Sequence, residues 1–140
     1  MSTIESGGCL CGAVRYEFAR ESALSAHDCH CTDCQKCTGS GKATIILLPS
    51  EALDLKGTLR TFTVTGSAGS TVTRAFCPQC GSPIISYVEE DPTMKFVKAG
   101  SLDDSSWVTV KSGFWRDTSV PWSPVNESIP CAAGNPEGAL

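Results

Sequence analysis

The sequence predicts a mainly β domain with one or two short helices, and three observations carry that prediction. Seven short segments are rich in β-branched and aromatic residues, Gly and Ser punctuate nearly every junction between them, and helical character is confined to single short stretches. The segments are residues 13–18, with Val14, Tyr16 and Phe18; 42–48, with Thr44, Ile45 and Ile46; 58–65, with four threonines, Phe62 and Val64; 70–76, with Thr71, Val72 and Thr73; 83–88, with Ile84, Ile85 and Tyr87; 95–98, with Phe96 and Val97; and 107–111, with Trp107, Val108 and Val110. Gly57, the run from Gly66 to Ser70 and Gly81 mark turns between them. A helix fits residues 32–38, with Thr32 or Asp33 near its N-cap and Cys34 and Cys37 on adjacent turns of one face. Residues 103–106 form a second turn, and residues 129–140, with Pro130, Gly134, Pro136 and Gly138, read as an irregular tail behind a domain of residues 1–128.

At 140 residues the chain has the size of a single domain. A net charge of -4 and a pI near 5.1, with eleven scattered basic residues, run against a phosphate backbone or an anionic membrane as partner. The longest mostly apolar run, residues 43–48, is too short to cross a bilayer. The N-terminal residues carry neither a basic start nor an apolar core, so the expected compartment is the cytoplasm, where thiols stay reduced and open to metals.

Eight of the nine cysteines fall into three tight groups: Cys9 and Cys11; Cys29, Cys31 and Cys34 with Cys37; and Cys77 and Cys80. Cys77-Pro78-Gln79-Cys80-Gly81 places two thiolates across a tight turn, and Gly81 permits the positive φ such a knuckle needs. Cys9-Leu10-Cys11-Gly12 is its natural partner, because residues two apart in an extended segment point the same way. The product is a closed four-cysteine zinc site, structural in kind. Cys29, Cys31 and Cys34 form a tripod for a second zinc with its fourth corner free, which points to catalysis unless Cys37 or His30 closes it. His30 alternates away from Cys29 and Cys31, and reads as a neighbour of the site. His27 reads as a solvated histidine, Asp28 and Asp33 as surface carboxylates, and Cys131 as a lone surface thiol. A redox reading, with Cys34 and Cys37 as a C-x-x-C pair, would cost the tripod a ligand on oxidation.

The motifs Gly8-Cys9-Leu10-Cys11-Gly12-Ala13-Val14, Cys29-His30-Cys31-Thr32-Asp33-Cys34 with Thr38-Gly39-Ser40, and Phe76-Cys77-Pro78-Gln79-Cys80-Gly81-Ser82-Pro83 resemble the glutathione-dependent formaldehyde-activating (GFA) family, or CENP-V/GFA domain. Ala99-Gly100-Ser101-Leu102-Asp103 and Pro121-Trp122 resemble its later glycine-leucine-aspartate and proline-tryptophan positions. The resemblance implies coiled, zinc-linked β-sheets (a β-tent). It implies two zinc ions, one structural on Cys9, Cys11, Cys77 and Cys80 and one catalytic on Cys29, Cys31 and Cys34. It also implies a carbon-sulfur lyase that adds a thiol such as glutathione to formaldehyde or another small aldehyde. Three thiolates make a metal electron-rich, which favours delivery of a metal-bound substrate thiolate over activation of the carbonyl. Lys36, Lys42, Arg15 and Arg74 are the candidate cations for the substrate's carboxylates, and the Thr38-Gly39-Ser40-Gly41 backbone offers N–H donors. The chain departs from the family pattern at Gln35, where Arg or Lys is common, and at Cys37. The competing reading from another class is a structural zinc module that binds a protein partner without catalysis; a homo-oligomer fits either reading.

Overall fold

The computed structural model describes residues 3–66 and 69–136, so Ser67 and Ala68 of the predicted glycine-serine turn and residues 137–140 of the predicted tail lie outside the described residues. Its strands are β1 (Ile4–Gly8), β2 (Arg15–Ala19), β3 (Ser25–Cys29), β4 (Ala43–Pro49), β5 (Asp54–Lys56), β6 (Arg60–Thr65), β7 (Thr71–Phe76), β8 (Pro83–Val88), β9 (Met94–Lys98) and β10 (Val110–Phe114), with one α-helix, α1 (Thr32–Thr38). They form a three-stranded sheet, β1-β2-β5, and a seven-stranded sheet, β10-β3-β4-β9-β8-β7-β6. All pairings are antiparallel except that of β10 with β3. No helix among the described residues is long and apolar enough to cross a membrane.

The mainly β class is as the sequence predicts, and β2, β4, β6, β7, β8 and β9 lie on the predicted segments within one or two residues at each end. The segment 107–111 is a correction: the strand begins at Val110, because Trp107 and Val108 pack against the core instead of joining the ladder. The Trp107 ring meets Phe18 edge to face at 6.3 Å, and the Arg20 guanidinium stacks over it at 5.3 Å. Residues 103–107 make the expected turn, where Asp104 accepts hydrogen bonds from the Ser106 N–H and hydroxyl.

Three strands, β1, β3 and the short β5, carry little local signal. In β1, Ile-Glu-Ser-Gly-Gly, a Cβ on Gly7 would lie 2.4 Å from the Tyr16 hydroxyl and 2.5 Å from the Ser101 carbonyl oxygen, so glycine is there for close approach rather than for a turn. Strand β3, Ser-Ala-His-Asp-Cys, is polar in sequence but central in the sheet, paired on both sides.

The large sheet has two unlike faces. Ala26, Ile46, Val97, Ile85 and Ala75 form a cross-strand row over five strands, and this row shares one core with Val14 of the β1–β2 loop and with Tyr16 and Phe18 of the small sheet. The larger aliphatic side chains of the row, Ile46, Val97 and Ile85, each contribute about 1.5–3 kcal/mol by leaving water. The opposite face, one residue out of phase, presents Cys29, Ala43, Ile45, Phe96, Lys98, Ser86, Arg74 and Phe114, with Cys34 of α1 packed against Ala43, Ile45 and Phe114.

Helix α1 has the predicted span, but its N-cap is Cys31, not Thr32 or Asp33: the Cys31 sulfur accepts the Cys34 N–H at 3.3 Å. The sulfur takes the place of the usual hydroxyl or carboxylate acceptor, and the choice ties the helix start to the candidate metal ligands. Gly39 closes the helix with φ of 68°. The described part of the tail lies along β10, with Gly113 N–H donating to the Pro130 carbonyl at 2.9 Å and Trp115 N–H to the Gly134 carbonyl at 3.0 Å.

Ile46→Ala, at a side chain only 1% exposed, should lower stability by about 2–5 kcal/mol in denaturant titrations. Phe62→Ala, on the outer strand β6 and 65% exposed, should cost less than about 0.5 kcal/mol, and equal losses at the two sites would contradict the assigned core.

Candidate metal centres and the cavity beside them

The loops that close the β1–β2 and β7–β8 hairpins come from different sheets and meet. Each carries two cysteines, and the sulfurs of Cys9, Cys11, Cys77 and Cys80 all lie within 4.8 Å of one another. Cys9 Sγ is 3.6 Å from Cys11 Sγ, and Cys11 Sγ is 3.8 Å from Cys77 Sγ. Those separations are far beyond a disulfide bond, and they match the roughly 3.8 Å between sulfurs placed about 2.3 Å from a tetrahedral zinc. The donor set therefore fits such an ion, and all nine cysteines are unpaired.

Backbone donors hold the sulfurs in place. Val14 N–H donates to Cys9 Sγ at 3.2 Å and Gln79 N–H to Cys77 Sγ at 3.4 Å, while Leu10 N–H donates to Ser82 Oγ at 3.0 Å across the two loops. Gly81 has φ of 77° and its N–H closes on the Cys77 carbonyl at 2.9 Å, the knuckle the sequence predicts. The Ser82 hydroxyl 3.2 Å from Cys80 Sγ holds that thiol down to about 5, because a hydrogen bond favours the charged sulfur.

The second group consists of Cys29 at the end of β3, Cys31 at the N-cap of α1 and Cys34 in its first turn, again with all sulfurs within 4.8 Å. Hydrogen bonding from Cys29 and then Cys31 favours the thiolate on Cys34 and drives its pKa well down, against burial; Lys98 and Arg74 add favourable charge. Cys29 moves the opposite way, first because its thiol donates to Cys31. The trio thus carries its negative charge on Cys34, toward which Arg74 and Lys98 are favourably placed.

Among the described residues, no His, Cys, Asp or Glu joins the trio as a fourth ligand. His30 is buried with Nδ1 unpartnered, and burial pushes its pKa down. Cys37 is exposed. The trio instead lines a cavity of about 260 Å³, whose walls include Ile45, Phe96, Phe114, Trp115, Arg74 and Lys98.

Several sequence expectations need correction. His27 is buried, not solvated: its ring nitrogens lie 2.6 Å from Ser25 Oγ and 2.7 Å from Ser112 Oγ, and its ring stacks on Phe114. Asp28 is buried too, accepting from Thr44 Oγ1 at 2.6 Å and pairing with Lys42 Nζ at 3.4 Å. Cys131 is half-buried against Gly113. Of the proposed cations, Arg15 is taken up by Asp103 and Lys42 by Asp28, whereas Arg74 faces the cavity. Gln35 has a role the motif comparison did not foresee: its amide donates to the His30 carbonyl at 2.9 Å and the Thr118 carbonyl at 2.8 Å, bracing the peptide between two cysteines of the trio.

Lys98 is the residue that sequence reasoning missed. Nothing local marks it, since its place depends on the register of Lys98 opposite Ile45. Trp115 was also missed; it sits at φ of 63°, rare for a non-glycine, with its indole N–H on Asn135 Oδ1 at 2.9 Å.

A family model described as the glutathione-dependent formaldehyde-activating enzyme matches residues 4–118. The chain belongs to that family. A crystal structure of a Rhodobacter sphaeroides protein has the same fold, with a TM-score of 0.57 and 20% identity over 90% of this chain and 98% of that one. No curated protein matches the chain. The GFA match covers both cysteine groups, so the two candidate centres fall within the family's own domain.

Gln35→Leu should remove the side-chain donor of the Thr118 carbonyl and one of the two side-chain donors to the His30 carbonyl, and cost about 0.5–1.5 kcal/mol, read as faster hydrogen exchange of the α1 amides. Unchanged protection would show that Gln35 is not the brace.

Proposed function

We propose that the protein is a zinc-dependent carbon-sulfur lyase that adds a thiol to a small aldehyde, glutathione and formaldehyde being the pair named by its family. In this reading Cys9, Cys11, Cys77 and Cys80 hold a structural zinc, and Cys29, Cys31 and Cys34 hold a catalytic one. The supporting observation is the contrast between the two groups: four converging sulfurs complete a tetrahedron, whereas three converge on the wall of a cavity and leave a corner facing it.

Zinc, when bound there, supplies a positive charge that keeps a substrate thiol deprotonated at neutral pH. The chain's own part is to hold that charge and shape its surroundings. Cys29, Cys31 and Cys34 fix three corners, the Cys31 sulfur anchored by the Cys34 N–H. Phe96, Phe114 and Trp115 keep water from the cavity wall. In the overall addition the S–H bond breaks, a carbon–sulfur bond forms, the carbonyl π pair moves to oxygen, and that oxygen takes the proton. Arg74 and Lys98 line the same cavity and face the negative charge that develops there.

Protein purified under anaerobic conditions should carry two zinc ions per chain. Cys31→Ser should lose one of them with the fold intact by circular dichroism. Cys80→Ser should unfold the domain, because a structural zinc contributes about 10–16 kcal/mol, as much as the whole stability of a typical domain. Zinc-loaded protein should accelerate exchange between glutathione and formaldehyde in an NMR exchange assay, and Cys31→Ser should abolish the effect. No acceleration over buffer for any pairing of cellular thiol and small aldehyde would overturn the lyase reading.

A further inference from the structure

The cavity beside Cys29, Cys31 and Cys34 is apolar over most of its wall, with two cations set into it. Arg74 on β7 and Lys98 on β9 flank Ser86 on the strand between them, and Lys98 Nζ donates to Ser86 Oγ at 2.8 Å. Neither cation forms an ion pair with a carboxylate among the described residues, although Arg15, Arg20, Lys42 and Arg116 all do. Arg74 Nε is buried with no hydrogen-bond partner, and Arg74 Nη2 lies 4.0 Å from Cys34 Sγ. A half-buried guanidinium whose Nε is buried and idle is costly unless an acceptor arrives, and its planar fork matches a carboxylate.

We propose that this cavity selects a small substrate bearing a carboxylate within three bonds of its reacting atom, and that Arg74 and Lys98 bind that carboxylate. The inference rests on the reading of the three-cysteine group as the reactive centre. Placement sets the spacing: with Arg74 beside Cys34, an acid held by Arg74 sits next to the open corner, so a short mercapto acid or a 2-oxo acid aldehyde fits. Size sets the limit. At about 260 Å³ the cavity is below the roughly 300–1,000 Å³ of sites that enclose drug-sized ligands, so it encloses the reacting end of a short acid and not a whole tripeptide. Asp33 also lines the cavity, so overall charge does not decide the matter; the idle Arg74 Nε, and the lack of a carboxylate ion pair at Arg74 and Lys98 among the described residues, do.

The test uses zinc-loaded protein and calorimetric binding of 3-mercaptopropionate, 2-mercaptoethanol and cysteamine, with the spectrum of cobalt-substituted protein reporting whether each thiol reaches the metal. The mercapto acid should bind at least about tenfold more tightly than 2-mercaptoethanol, with cysteamine weakest, a gap of about 1.4 kcal/mol. Arg74→Gln and Lys98→Met should erase the preference while keeping the metal, and Arg74→Lys should keep part of it. Glyoxylate against glycolaldehyde repeats the comparison for the carbonyl partner and shows which reactant carries the acid. No preference for the acid member of either pair overturns the inference and leaves thiol delivery standing. Loss of the metal from Arg74→Gln or Lys98→Met also overturns it, because the cations then serve only to balance the sulfurs. Propionate binding that depends on Arg74 and Lys98, with no thiol reaching the metal, upholds the carboxylate site and overturns the lyase reading.

Discussion

Two hairpin loops from two different sheets bring four sulfurs within 4.8 Å of one another, and the rest of the molecule hangs on that meeting. Four thiols at such separations repel when charged and pack poorly when neutral; a dication resolves both problems at once. The loops carrying Cys9/Cys11 and Cys77/Cys80 are also joined directly by the Leu10 N–H bond to Ser82, so the clamp fixes the small sheet over the inward face of the large one. Beneath it, Tyr16 and Phe18 meet Ile46, Ile85 and Val97. Fixing one face of the large sheet in this way leaves the other free to carry chemistry.

That second face is built by register. Lys98 stands opposite Ile45, Arg74 opposite Ser86 and Cys29 opposite Ala43, so side chains far apart in sequence share one wall with the three-cysteine group. The arrangement gathers three soft donors and two cations at a cavity with aromatic sides. In such a low-dielectric setting charges act at full strength, and whatever enters must satisfy them. The acidic chain as a whole is thus compatible with a cavity that holds two basic side chains.

The cysteine spacing made both candidate metal groups legible, because side chains two or three residues apart are constrained by local geometry alone. Helix α1 was legible for the same reason, as were the strands rich in Thr, Val, Ile and Phe. What stayed hidden depends on tertiary partners. Gly7 in β1 looks like a breaker until Tyr16 and Ser101 are seen to press against it. His27 looks like a surface group until Ser25 and Ser112 bracket its ring. Lys98 looks like any surface lysine, and Asn135 and Pro136, from the irregular tail, look unconnected to a site they help to line. The N-cap was misplaced because capping rules favour hydroxyls and carboxylates, and here a cysteine sulfur does the same task.

The central claim is that one centre is closed and the other open. X-ray absorption at the zinc edge tests it most directly, since zinc–sulfur and zinc–oxygen or zinc–nitrogen distances are resolved. Protein holding two zinc ions in the absence of added thiol should show seven sulfurs shared between them, with one lighter ligand, and a bound substrate thiol should supply the eighth sulfur. Four sulfurs on every zinc before any thiol is added would mean that a further cysteine such as Cys37 closes the corner, and the account of an open catalytic site would be wrong.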